Sequence, residues 1–126
     1  AALGLGAESV VAADTDSLAV RATTDNRGLN GRSEAELQVA LGSVETLNKL
    51  LAPRRTDLLL CNILAPVIEV LAPGFEGLLQ PDGRALLSGL LADQAPRLKE
   101  VLGDLGWMVT AEAQQGRWGL LEIRRR

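Results

Sequence analysis

A short apolar segment in the middle of the chain restricts the folds that this sequence can adopt. Residues 57–66 are Asp-Leu-Leu-Leu-Cys-Asn-Ile-Leu-Ala-Pro. The apolar run at 58–61 is too short for a helix core and predicts a strand that is buried on both faces, as in a parallel sheet. Asn62 follows where this strand ends. Because open α/β sheets bind ligands at the carboxyl ends of their strands, Asn62 is a candidate for chemistry.

The rest of the chain alternates predicted strands and helices. Residues 10–13 form a second continuous apolar run that ends at Asp14, and residues 85–89 predict a strand that ends in Ser88 and Gly89. Apolar and polar residues alternate over 36–41, which is typical of a strand at a sheet edge. The helices are predicted from Asp16 or Ser17 to about residues 28–31, around 47–51, from Pro66 with a break at Pro73 to a turn at 81–83, and over about 93–105.

The two ends of the chain differ from this alternation. Residues 1–7 are typical of the last turns of an apolar helix that Gly4 or Gly6 closes. Residues 107–113 and 117–123 predict two strands joined by a short connection with a glycine, which indicates an antiparallel hairpin. The sequence therefore predicts one α/β domain with a mostly parallel sheet and a C-terminal antiparallel hairpin.

The composition excludes several functional classes. The chain of 126 residues has no histidine and one cysteine, Cys61, so catalytic triads that need histidine, disulfides within the chain and multi-cysteine zinc sites are all excluded, and we expect no metal site. Cys61 lies inside the apolar run and is predicted to be a core residue. A net charge of −3 argues against direct binding of nucleic acid.

The hydropathy pattern predicts a cytoplasmic protein that does not bind a membrane. No apolar segment approaches the ~20 residues that a bilayer span needs. The first residues also lack the basic segment and long apolar stretch of a signal peptide.

Polar groups follow three predicted strands, at Asp14, Asn62 and Ser88-Gly89. Since right-handed crossovers place the carboxyl ends of parallel strands on one edge of a sheet, these groups are expected to converge. The Asp14 carboxylate could accept hydrogen bonds from ribose hydroxyls, or Asp14 or Asp16 could cap the following helix. The oxygens at Asn62 could hold a substrate amine for nucleophilic attack, or the amide could cap the helix near Pro66.

Two segments carry a resemblance to a known family. VVAADTDSLAVRATTDNRGLNG resembles the segment after the glycine-rich loop in class I S-adenosylmethionine methyltransferases. DLLLCNILAPVIEVLAPGFEGLLQPDGRALLSGLL is similar to the ribosomal protein L11 methyltransferases, the PrmA family, through its Asn-Ile-Leu-Ala and Leu-Ser-Gly-Leu-Leu motifs. The resemblance covers nearly the whole chain, including Arg117-Trp118.

The resemblance implies transfer of methyl groups from S-adenosylmethionine to lysine and N-terminal amines of a ribosomal protein. Asp14 would bind the cofactor ribose, Thr15 would lie beside the adenine, and Ser43 stands where such enzymes place a residue near the adenine, often an acid. Asn62, as the catalytic residue, would contact both cofactor and substrate. Ile63, Leu64 and Ser88 would complete the substrate side.

The resemblance also implies that parts of the family's architecture lie outside residues 1–126. The chain would be a partial catalytic domain without the first strand, the glycine-rich loop and the N-terminal substrate-recognition domain. The sheet is then expected to be split at its centre, its exposed edges to favour a homodimer, and this piece alone to be inactive. The alternative function is a noncatalytic Rossmann-like module for nucleotide binding or assembly.

Overall fold

The computed structural model describes all residues from 1 to 126 and divides them into two compact units, Ala1–Pro53 and Arg54–Arg126. The first unit contains β1 (Val10–Asp14), α1 (Ser17–Leu29), β2 (Leu37–Leu41) and α2 (Val44–Leu51). The second contains β3 (Thr56–Asn62), α3 (Ala65–Leu71), α4 (Phe75–Leu78), β4 (Leu79–Leu91), α5 (Ala95–Asp104), β5 (Trp107–Gln115) and β6 (Trp118–Arg125).

The first unit is a parallel β1–β2 pair connected through α1. Val10 pairs with Leu37 and Asp14 pairs with Leu41, so the carboxyl ends of both strands lie at the same edge. The expected helical turn before β1 is present, and it closes at Gly6, whose φ is +109°. No residue of this unit is buried.

The second unit holds a four-stranded sheet of order β3-β4-β6-β5 and all of the buried core. β3 and β4 are parallel, whereas β6 is antiparallel to both of its neighbours, as the predicted hairpin requires. The largest fully buried side chains are Phe75, Ile68, Leu78, Leu79, Leu87, Leu90, Leu98, Leu102, Leu121 and Ile123.

The mixed α/β architecture with a C-terminal hairpin is confirmed. The strands form two separate sheets, as expected for a sheet that is split at its centre. None of the helices is long and apolar enough to cross a membrane.

The prediction that residues 58–61 are buried on both faces is wrong. Leu60 is 60% exposed and Leu58 is 38% exposed. Leu58 and Leu60 share one face of β3, and that face is open, whereas Leu59 and Cys61 on the opposite face are half-buried. In addition, β3 is an edge strand, with a hydrogen-bonded neighbour, β4, on one side only. An apolar run predicts a strand that can be buried, but whether the strand is buried depends on the other elements that pack against it.

The turn predicted at 81–83 is a bulge within β4 instead of a connection before it. Thr56 pairs with Leu79 and Leu58 pairs with Arg84, so residues 80–83 of β4 lie opposite a single residue of β3. The helical break at Pro73 is confirmed as a 3-10 turn at Ala72–Gly74 between α3 and α4. The last helix starts two residues later than predicted, at Ala95, after a 3-10 turn over Ala92–Gln94.

Candidate functional site

The carboxyl ends of β1 and β2 gather the first group of predicted site residues. The backbone N–H of Gly42 donates to the carbonyl oxygen of Asp14 at 2.9 Å, which joins the two strand ends. Thr15 follows Asp14, and Ser43 follows Gly42 directly before α2. Asp14, Thr15 and Ser43 therefore border the same edge of the parallel pair.

Two neighbouring aspartates at this edge have different contacts. Asp16 caps α1, because its Oδ1 accepts a hydrogen bond from the Leu18 N–H at 2.9 Å. Asp14 accepts from the N–H of Asp16 through Oδ1 at 2.9 Å, and its Oδ2 has no protein donor. Asp14 is exposed and is not the helix cap, so it keeps acceptor capacity for a ligand.

The ends of β3 and the middle of β4 gather the second group. Asn62 pairs with Ser88, and the N–H of Ile63 donates to the carbonyl oxygen of Ser88 at 3.1 Å. The prediction that Asn62 and Ser88-Gly89 converge is therefore confirmed. The convergence of Asp14 with these residues stays a prediction.

The Asn62 amide does not cap the following helix. The residue at the cap position of α3 is Leu64, and no side chain makes a capping hydrogen bond there. The Asn62 side chain makes no hydrogen bond to the protein and is exposed. Its amide is therefore free to contact a ligand.

A second oxygen lies close to the Asn62 amide. Asn62 Oδ1 and the carbonyl oxygen of Ile63 each lie 2.8 Å from the point that a Cβ of residue 89 would occupy. Because one amine carries two or more N–H donors, two acceptors this close together can hold a single nitrogen between them. This pair of acceptor oxygens suits an amine.

The two oxygens border an open groove of about 780 Å³. One side of the groove consists of residues 62–64 with Ser88 and Gly89, and the other consists of residues from the hairpin, including Gln115, Trp118 and Leu120. Trp118 is 52% exposed and Leu64 is 63% exposed, so both offer apolar surface to a ligand.

The hairpin side of this groove was not predicted as part of the site. Arg117-Trp118 contributed to the family resemblance, but no role followed from it. An aromatic residue directly after a hairpin turn is the signal that could have pointed to Trp118, since a large ring at the end of a sheet offers apolar surface to a ligand.

The structure gives no sign of a reactive thiol or of a metal-binding cluster. Burial raises the pKa of the Cys61 thiol to about 11, so the thiol is protonated near neutral pH and is a poor nucleophile. The structure contains no cluster of three or more histidine, cysteine, aspartate or glutamate side chains that could hold a metal ion.

Both units contain a parallel strand pair with a helical crossover and polar residues at strand ends, and the second unit ends in an antiparallel hairpin. These are features of the Rossmann-like fold of class I methyltransferases. The family model described as ribosomal protein L11 methyltransferase (PrmA) matches residues 1–126. The chain belongs to the PrmA family of ribosomal protein L11 methyltransferases.

Individual relatives agree with this assignment. The chain is 76% identical over 126 residues to the ribosomal protein L11 methyltransferase of Parasynechococcus marenigrum and spans 44% of that relative's length. It is 59% identical over 125 residues to the enzyme of the same name from Synechococcus sp. (strain RCC307), and spans 41% of it. A solved structure of ribosomal protein L11 methylase from Lactobacillus delbrueckii subsp. bulgaricus has 29% identity and a TM-score of 0.87, with 99% of this chain and 62% of that chain covered.

Proposed function

We propose that the protein containing this chain transfers methyl groups from S-adenosylmethionine to amino groups of a ribosomal protein. The chain spans less than half the length of the curated relatives that it matches, and we propose that it forms part of their catalytic domain. The single observation that carries the proposal is the free Asn62 amide beside the Ile63 carbonyl at the groove.

The acceptor half of the reaction follows from these two oxygens. A primary amine that donates one N–H to Asn62 Oδ1 and the other to the Ile63 carbonyl keeps its lone pair free and fixed in direction. The same acceptors stabilise the positive charge that develops on the nitrogen as the new N–C bond forms. Ser88 pairs with Asn62 and also lines the groove, so we propose that it contacts the same substrate.

This chemistry fits a chain without histidine. A neutral amine needs no general base before it attacks, and the extra proton on the methylated nitrogen can leave to water. Holding the amine at the correct distance and angle then supplies most of the rate. Leu64 and Trp118 offer apolar walls that suit the methylene groups of a lysine side chain.

The first unit offers residues that fit the cofactor. Asp14 has a carboxylate oxygen without a protein donor, and Ser43 makes no side-chain capping hydrogen bond. We propose that Asp14 holds the ribose hydroxyls and that Thr15 and Ser43 lie near the adenine. Bound S-adenosylmethionine supplies an electrophilic methyl group.

The partner that we propose is the ribosomal protein named in the relatives' descriptions, in the cytoplasm. An unpaired cysteine in a part-buried strand is compatible with a reducing compartment. The alternative, a noncatalytic nucleotide-binding or assembly module, would need neither the free Asn62 amide nor the groove beside it.

The test is a methyl-transfer assay with the complete enzyme, tritiated S-adenosylmethionine and the ribosomal protein. We expect radioactivity in the protein and a mass increase of whole methyl groups on lysine or N-terminal amines. Cofactor binding without incorporation would favour the noncatalytic module. Incorporation into RNA instead of protein would reject the proposed acceptor.

A further inference from the structure

A β-bulge interrupts β4 where β3 ends. Leu87 pairs with Leu121 and Leu90 pairs with Gly119, so Ser88 and Gly89 lie opposite a single residue of β6, Leu120. Gly89 has φ +83°, a conformation that residues with side chains rarely adopt. Bulges of this kind change the direction of neighbouring groups and recur next to active sites.

The bulge brings Gly89 against the Asn62-Ile63 segment. A Cβ at residue 89 would lie 2.8 Å from Asn62 Oδ1, 2.8 Å from the Ile63 carbonyl oxygen and 2.9 Å from the Ile63 nitrogen. Two of these three atoms belong to the backbone, which cannot move aside as a flexible side chain could. The absence of a side chain at residue 89 therefore leaves the space that both acceptor oxygens use.

This contact matters because hydrogen bonds do not fix the Asn62 side chain. Its amide has no hydrogen-bond partner in the protein, so packing against Gly89 limits where its oxygen can lie. The backbone of Ile63 is held in turn by its 3.1 Å hydrogen bond to the Ser88 carbonyl, in the same bulge.

We infer that Gly89 is a positioning residue for methyl transfer: its bulge sets the places of Asn62 Oδ1 and the Ile63 carbonyl, and it acts on the acceptor amine through them. This inference rests on the proposed function. Gly89 does not touch the reacting atoms, so a substitution there changes the alignment of the amine and leaves Asp14, Thr15 and Ser43, which are proposed to hold the ribose and adenine, unchanged.

The experiment compares Gly89→Ala with Gly106→Ala in the complete enzyme. Gly106 has φ +91°, and no atom lies within 4 Å of its Cβ position. Both substitutions impose similar backbone strain, but only Gly89→Ala creates the collision. We expect Gly89→Ala to lower kcat about 100-fold, since a displacement of ~1 Å can cost this much, with little change in the KM for the cofactor. Gly106→Ala should keep kcat within about threefold of the wild type.

Two further variants separate positioning from loss of folding. Because Gly89 acts through Asn62, the effects of Gly89→Ala and Asn62→Ala should be less than additive in the double variant. Asn62→Gln tests the same geometry without a change at residue 89: its longer side chain cannot place an oxygen in the space over Gly89, so kcat should fall as far as in Asn62→Ala.

The outcomes distinguish this inference from the proposed function. If the wild type transfers methyl groups and Asn62→Ala is impaired, but a folded Gly89→Ala keeps its kcat, the positioning role is rejected alone. Fully additive effects would reject it as well. If Gly89→Ala does not fold, an active Asn62→Gln would still overturn the role. Absence of methyl transfer in the wild type would reject the proposed function itself.

Discussion

Replacement of Asn62 by alanine should lower the rate of methyl transfer without lowering the stability of the fold. The Asn62 side chain is exposed and makes no hydrogen bond in the protein, so its removal breaks no intramolecular contact of this kind. Surface substitutions of this type change the free energy of unfolding by within about ±0.5 kcal/mol. We therefore expect Asn62→Ala to unfold at nearly the temperature of the wild type.

The effect on the rate should be much larger. In the transition state the amine nitrogen becomes positively charged, and a hydrogen bond to a charged group contributes about 1.5–3 kcal/mol. Each 1.36 kcal/mol corresponds to a factor of about ten in rate, so loss of the Asn62 acceptor should lower kcat roughly 10- to 150-fold. The Ile63 carbonyl remains as the second acceptor, which is why activity should not vanish.

The measurement is steady-state methyl transfer to the ribosomal protein at saturating cofactor, together with thermal unfolding of each variant. Asn48→Ala is a matched control, because Asn48 is also exposed and lies on α2. A kcat within threefold of the wild type would refute the role of Asn62. A large fall in unfolding temperature would show that the side chain has a structural role that its contacts do not reveal.

Three further predictions concern other parts of the chain. Asp14→Asn should weaken cofactor binding about tenfold, because the substitution removes a charged acceptor. Asp16→Asn keeps the helix cap and should not weaken binding. Equal effects of the two substitutions in calorimetry of the complete enzyme would contradict the ribose role of Asp14. Burial raises the pKa of Cys61 from 9.0 to about 11. Alkylation of Cys61 at pH 8 should therefore be roughly 100-fold slower than alkylation of a free thiol, and its rate should increase as the pH rises towards 11. Ordinary reactivity at pH 8, measured by mass spectrometry, would contradict this prediction. The isolated chain of residues 1–126 should self-associate through its open strand edges. In light scattering, Leu60→Lys on β3 should lower the measured mass more than the control Leu105→Lys does. A chain that is monomeric at all concentrations would reject strand pairing between copies.

Local patterns in the sequence predicted most of the strands and helix boundaries. The apolar run located the carboxyl end of β3 at Asn62 correctly, because the end of a strand is determined by residues close in sequence. The role of Asn62 as the amine acceptor stays a prediction. The exposure of Leu60 could not be predicted in the same way. It depends on what covers each face of the strand and on which strands pair beside it, and a single apolar run has the same appearance at a sheet edge and at a sheet centre.

Local sequence patterns also did not predict which residues form the groove. Trp118 and Leu120 reach the acceptor site through the pairing of β6 with β4, about thirty positions away from Ser88 along the chain. Ser88 and Gly89 were predicted to end a strand, but β4 continues to Leu91. The positive φ of Gly89 and its contact with Ile63 follow from a bulge that only the strand register reveals. The features that local patterns did not predict therefore depend on long-range strand pairing more than on local propensity.

The proposed acceptor group and the buried core belong to the same unit. Asn62 is the last residue of β3, whose neighbour β4 contributes the buried residues Leu87 and Leu90 on either side of the Ser88-Gly89 bulge. Well-packed surroundings of this kind hold a catalytic geometry to within the small tolerances that methyl transfer needs. Asp14 and Ser43, in contrast, lie in a unit without a buried residue. Mutations that loosen the core should therefore reduce the alignment of the amine before they reduce affinity for the cofactor.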